Sequence, residues 1–175
     1  MTGVAVLHSP VLNALEVIEK ASKTKGTVTG IPTGFIDLDY KLSGLQRSDL
    51  ILVAARPSMG KTAFVLNIAQ HVAFRQEKAV AIFSLEMSKE QLVNRLFSLE
   101  AHVDAQILRT GNLKDSDWEK LIEGAGTIGK SKLIIDDTSG ISITEMRSKC
   151  RKYKLEHGLD PVSYTHLTLP TICSV

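Results

Sequence analysis

A parallel sheet covered by helices, an α/β fold, is what this sequence predicts. Three short apolar runs, Leu50–Ala55 (LILVAA), Ala79–Ser84 (AVAIFS) and Lys132–Asp137 (KLIIDD), have the length and content of strands buried on both faces. Helical patterns separate them, and strands alternating with helices define this class. A glycine-containing loop, Ala55–Thr62 (ARPSMGKT), joins the first run to the helical pattern that follows it.

Each element has a local reason. Ser9 suits a helix cap and Pro10 the first helical position. Val11, Ala14, Leu15, Ile18 and Ala21 then recur at helical spacing, and the pattern fades into the polar stretch SKTKGTVTG. The residues support two readings, a separate amphipathic helix with a linker or the first helix of the domain itself. After the loop, Phe64, Val65, Ile68, Ala69 and Val72 form one helical face. Ser88 with Gln91 three residues on has the form of a capping box, ahead of a helix carrying Leu92, Leu96 and Leu99. Gly111 closes a short helix begun at Asp104. Asp115 or Ser116 opens the next, with Trp118, Leu121, Ile122 and Ala125 on one face. Thr138, Ser139 and Gly140 turn the chain, and a last helix runs from about Thr144 to His157 with Gly158 as its stop.

Composition bounds the function classes. The chain has 175 residues, is 43% hydrophobic and 23% charged, and carries a net charge of +2. That is one domain's length with enough apolar content for a core. Bulk charge argues for no nucleic-acid partner. Cys150 and Cys173 form neither a disulfide framework nor a metal-ligand cluster. A broken apolar N-terminus and the lack of any long apolar run argue against a signal peptide and a membrane span, so the cytoplasm is the expected location.

The loop carries the chemistry. Between a strand and a helix, ARPSMGKT fits the Walker A phosphate loop, G-x-x-x-x-G-K-[ST]. Backbone N–H groups of Ser58, Met59 and Gly60 and the start of the helix would face phosphate oxygens, with the helix dipole behind them. Gly60 leaves room for close approach, Lys61 supplies a point charge for the β- and γ-phosphates, and Thr62 offers its hydroxyl to Mg²⁺. Ala55 stands where the pattern asks for glycine, which a negative φ would tolerate. The expected nucleotide-binding set is Ala55, Arg56, Pro57, Ser58, Met59, Gly60, Lys61 and Thr62, with ATP and Mg²⁺ as cofactors. Arg56 and Arg47 are read as surface cations outside the catalytic set.

Several blocks, TGIPTGFIDLD, GLQRSDLILVAARPSMGKTAF, IFSLEMS and LIIDDTSGISITEMRSKCR, resemble successive segments of DnaB-type replicative DNA helicases, over about Val11 to Asp160. The resemblance implies a RecA-like P-loop NTPase fold, a parallel sheet flanked by helices and incomplete at its C-terminus. It also implies that 1–30 is an extension bearing a linker helix that docks on a neighbouring subunit, and that 31–160 is the N-terminal part of the ATPase domain. Glu86, ending the second strand, matches the carboxylate that polarises the attacking water, so Glu86 and Lys61 form the expected catalytic pair. On its own, Glu86 reads rather as a solvated charge beside a helix cap. The implied activity is ATP-dependent 5′–3′ unwinding by a hexameric ring around single-stranded DNA, with primase and a helicase loader as partners. Another RecA-like ATPase (a recombinase or clock-type enzyme) and a non-catalytic nucleotide-binding fragment are the alternatives.

Two features read differently alone and by resemblance. Leu133–Asp136 looks like a Walker B strand with Asp136 on Mg²⁺; the family pattern instead puts Walker B after Asp160 and leaves Asp136 a non-ligand. Arg147, Lys149, Arg151, Lys152 and Lys154 crowd the last helix, as a phosphate-contacting or simply solvated face. Residues 161–175 (PVSYTHLTLPTICSV) contain no Asp, Glu, Lys or Arg and do not match the expected Walker B strand. They are expected to be a non-native or disordered tail. The family's DNA loops and arginine finger find no match, so this polypeptide alone is expected not to unwind DNA.

Overall fold

The computed structural model describes residues 11, 12, 15, 16, 18, 19, 22, 28–46, 49–56 and 58–158, and the backbone of 162–166. Two compact units are present, Met1–Gln46 and Arg47–Val175.

In the first unit, the described residues between 11 and 22 are helical, while Ser9 and Pro10 lie outside the described residues. Val11, Leu12, Leu15 and Ile18 all present exposed side chains. A second piece is a compact loop around helix α1 (Ile36–Leu42). Ile31 and Leu45 bond reciprocally across its base, at 2.9 and 2.8 Å. Asp39, buried, accepts from the Thr33 N–H (2.7 Å), the Thr33 hydroxyl (2.8 Å) and the Gly34 N–H (3.2 Å). Three donors to one carboxylate satisfy a charge that burial alone would penalise.

The second unit is the α/β body. Helix α2 (Lys61–Gln70) runs into a π-helical turn, His71–Arg75, and then strand β1 (Val80–Ser84). Helices α3 (Lys89–Ala101), α4 (Ala105–Thr110) and α5 (Asp115–Lys130) lead to strand β2 (Leu133–Asp136), helix α6 (Ile143–His157) and strand β3 (Val162–His166). The sheet order is β2-β1-β3 and both pairings are parallel. Every residue of β1 is buried, as a central strand of a helix-covered sheet requires. Alternation sends Ala79, Ala81 and Phe83 to one face, where Met146 and Cys150 of α6 close a core joined by Ile134, Ile141 and Tyr153. Tyr153 stacks on Phe83 with ring centroids 6.5 Å apart. Leu66, Leu92 and Leu96 are fully buried, each contributing roughly 1.5–3 kcal/mol of transfer free energy.

Most helix ends follow the expected chemistry. Ser88 and Gln91 form the reciprocal capping box of α3, Asp104 caps α4, and Gly111 and Gly158 end α4 and α6 in the left-handed region. Ser142, with Glu145, caps α6. Gly124 of α5 lies against α3, where an added Cβ would sit 3.6 Å from that of Ala101.

Three segments of the second unit bear on the sequence reading. Leu50–Ala55 forms no strand, and Leu50, Leu52 and Val53 are exposed, Leu52 by 59%. The expected first strand is therefore corrected to an unpaired run: β1 has β2 on one side and β3 on the other, so no place beside β1 is left for it. The apolar face of α5 does not close the core, with Trp118 55% and Ile122 71% exposed. Finally, Val162–His166, within the expected tail, pairs with β1 from Val80↔Val162 to Ser84↔His166.

Candidate nucleotide-binding site

The loop wraps the start of α2. Two residues in it have positive φ, Ser58 (62°) and Gly60 (87°). Met59 N–H donates to the Arg56 carbonyl at 3.3 Å, closing a turn, and Gly60 begins the helix by accepting from Phe64 N–H at 2.9 Å. Successive N–H groups in such a curl form an anion-binding concavity. No side chain caps α2, and its first turn carries no acid, so the terminal N–H groups and positive dipole end stay available to an external anion. Lys61 and Thr62 are the first two residues of α2 and are half-buried.

The backbone gives Gly60 a reason of its own. A Cβ there would meet nothing within 4 Å, so its own chain leaves space; the backbone conformation demands glycine. Ala55 is not among the described non-glycine residues with positive φ, which are Ser43, Ser58, Glu77 and His102, so its methyl group is tolerated. Ala55, Arg56, Ser58, Met59 and Gly60 are exposed, and Pro57 lies outside the described residues.

Glu86 stands on a separate turn, Leu85–Met87, at the C-terminal end of β1. That is the edge of a parallel sheet where ligands gather. The run 50–55 leading into the loop is not paired beside β1. Sequence reasoning passed over what holds this turn. The buried Ser84 hydroxyl donates to the Met87 carbonyl (2.7 Å) and accepts from Met87 N–H (3.1 Å). Asp137 accepts from Lys89 N–H at 3.0 Å. A polar residue closing an otherwise apolar strand was the available signal.

Asp136 is engaged elsewhere. Its carboxylate accepts from Lys149 Nζ at 2.6 Å and from the hydroxyl and N–H of Thr138 at 2.6 and 3.1 Å. Burial pushes its carboxyl up, but the bonds from Lys149 and Thr138 together outweigh this and hold it below the usual carboxylate range. The bond to Asp136 holds the Lys149 ammonium above the usual lysine range, against a smaller opposing effect of burial. Lys149 pairs with Asp136 as an ion pair. Of the basic residues on α6, Lys149 is thus spent on the interior, Lys152 lies 3.8 Å from Glu156, and Arg147, Arg151 and Lys154 are exposed.

The residues fit a nucleotide with Mg²⁺. No trio of His, Cys, Asp or Glu fit to hold a metal occurs among the described residues. Thr62 supplies one hydroxyl, and Mg²⁺ commonly completes its shell with phosphate oxygens and water. No helix among the described residues is long and apolar enough to cross a membrane.

A curled loop before an uncapped helix, together with a parallel sheet covered by helices, has the form of the RecA-like ATPase fold. The structure matches a solved ATPase domain with a TM-score of 0.82 and 33% identity, over 93% of this chain and 56% of that one. It also matches a DnaB-like replicative helicase described with its interactions with primase, with a TM-score of 0.76 and 33% identity, over 93% of this chain and 38% of that one. The family model for the DnaB-like helicase C-terminal domain matches residues 30–172, and the chain belongs to that family. It is 54% identical to the replicative DNA helicase DnaC of Bacillus subtilis (strain 168) and 52% identical to the replicative DNA helicase DnaB of Geobacillus stearothermophilus. Each match covers 87% of this chain, which spans only 34% of the length of either relative.

Proposed function

We infer that this chain is the nucleotide-binding part of an ATP-dependent replicative DNA helicase. The observation that carries the reading is the curled Ser58–Gly60 backbone in front of an uncapped α2, within a segment matching the DnaB-like family. Its identity to replicative helicases favours this over a recombinase or clock-type ATPase.

Bound ATP supplies a phosphoanhydride bond for hydrolysis, and Mg²⁺ the neutralising charge. The protein contributes position and charge. Ser58 to Gly60 cradle phosphate oxygens with backbone N–H groups, flanked by Ala55, Arg56, Pro57 and Met59. Lys61 faces the β- and γ-phosphates, Thr62 holds Mg²⁺ by its hydroxyl, and Glu86 orients the attacking water. A hexameric ring around single-stranded DNA, 5′–3′ translocation, a neighbour's arginine in the site, primase and loader as partners, and a cytoplasmic setting complete the reading. The exposed apolar residues of the first helix support its role as the segment docking on a neighbouring copy. The proposed divisions are 1–30 as linker extension, 31–160 as ATPase domain and 161–175 as a tail foreign to the domain.

Replacing Lys61 by Ala in the full-length protein tests the assignment. ATP binding, followed with a fluorescent analogue, and phosphate release should both be abolished. Turnover at the parent rate would remove Lys61, and the loop with it, from the site.

A further inference from the structure

The Glu86 turn is fastened at both ends. On the strand side, the hydroxyl of Ser84, 2% exposed at the end of β1, both donates to and accepts from Met87. That closes a small ring around Leu85 and Glu86. On the helix side, Ser88 accepts from Gln91 N–H while Gln91 accepts from Ser88 N–H. This leaves the N–H of Lys89, the first residue of α3, without a partner from its own helix. Asp137 takes it at 3.0 Å from 48 residues away in sequence.

Strand register delivers that carboxylate. Phe83 pairs with Asp136, so Ser84 and Asp137 are the next residue on each strand and leave the sheet at the same edge. A negative charge at the start of α3 is also favoured by the helix dipole. The backbone on both sides of Glu86 is therefore tied to the sheet, although Leu85 and Glu86 are themselves exposed.

We propose that Ser84 and Asp137 are positioning residues that fix the Glu86 carboxylate for nucleotide hydrolysis. This rests on reading Glu86 as the group that orients water. Neither residue meets the nucleotide; each acts through the turn. An oriented carboxylate loses effectiveness steeply with small displacements, so loosening either tie lowers turnover and leaves nucleotide affinity alone.

The test is steady-state ATP hydrolysis and ATP binding by the full-length protein, for Ser84→Ala, Asp137→Ala, Asp137→Asn and Glu86→Gln. Asp137→Ala and Ser84→Ala should each lower kcat about 10-fold with ATP affinity unchanged. Asp137→Asn keeps an oxygen acceptor for Lys89 N–H and should recover to within about 3-fold of the parent. Added to Glu86→Gln, Asp137→Ala should lower kcat no further. The proposal is overturned if Glu86→Gln abolishes turnover while both alanine variants stay within about 2-fold of the parent. Losses that follow ATP affinity or the folded fraction, rather than kcat per folded molecule, also overturn it. A Glu86→Gln protein with parent turnover instead removes the reading of Glu86, and the positioning roles fall with it.

Discussion

At Gly60 the backbone sits at φ 87°, and no atom of the chain lies within 4 Å of where a Cβ would stand. Gly60→Ala should destabilise the domain by about 1–2 kcal/mol, since an L-residue strains in the left-handed region. The same Cβ would face the bound phosphates, so ATP affinity should fall more than stability does; urea unfolding and nucleotide titration separate the two. The Asp136–Lys149 pair makes a second residue-scale prediction. Asp136 is held below the usual carboxylate range, so its contribution is present above its unfolded pKa and is lost as pH falls through the lowered folded value. Lys149 is held above the usual lysine range, so its contribution is full below the unfolded pKa and is lost only as pH rises through the raised one. Asp136→Asn should therefore cost about 1–3 kcal/mol at neutral pH. The gap between variant and parent should close in strong acid, read from urea midpoints across pH. A metal-ligand role predicts instead that the variant loses Mg²⁺-dependent nucleotide binding with little change in stability.

Elements were legible in the sequence where their signals are local. Caps at Ser88 and Asp104, stops at Gly111 and Gly158, and the buried β1 run need only neighbours in the chain to define them. Elements that depend on distant partners were not legible. Leu50–Ala55 has the content of a buried strand, but content names no edge to pair with, and both edges of β1 are taken. Trp118 and Ile122 mark an apolar face on α5 by periodicity, but periodicity does not say whether this chain covers it. In the site, the loop motif was plain, and the Ser84–Met87 turn is local, whereas the Asp137–Lys89 contact spans 48 residues and depends on the β1–β2 register. The α6 cap gives an element-scale prediction away from the loop. Ser142 accepts from Glu145 N–H at 3.2 Å, and Glu145 accepts from Ser142 N–H at 2.9 Å. Ser142→Ala should lower stability by about 1 kcal/mol, and thermal melting would show it without any change in ATP affinity.

For the whole molecule, the informative surface is the apolar one. Val11, Leu12, Leu15 and Ile18 in the first unit, and Trp118 and Ile122 in the second, stand in solvent on otherwise amphipathic helices. Within each unit these side chains lack the cover that Leu92 or Leu96 has, and apolar patches of this kind mark association surfaces. In a ring-forming ATPase the first helix has a natural receiver in a neighbouring copy. In the proposed ring, association would hide apolar area that folding of one chain leaves exposed, and would complete nucleotide sites at the boundaries between copies. Replacing Leu15 and Ile18 together by Asp puts two charges where apolar contact is required, without touching the phosphate loop. Sedimentation of the full-length protein should shift from assembled rings to smaller species, with ATP binding per subunit retained and turnover reduced because sites shared between subunits come apart. If the double variant sediments as the parent does, the helix lies outside the assembly contact, and its exposed face belongs to some other interaction.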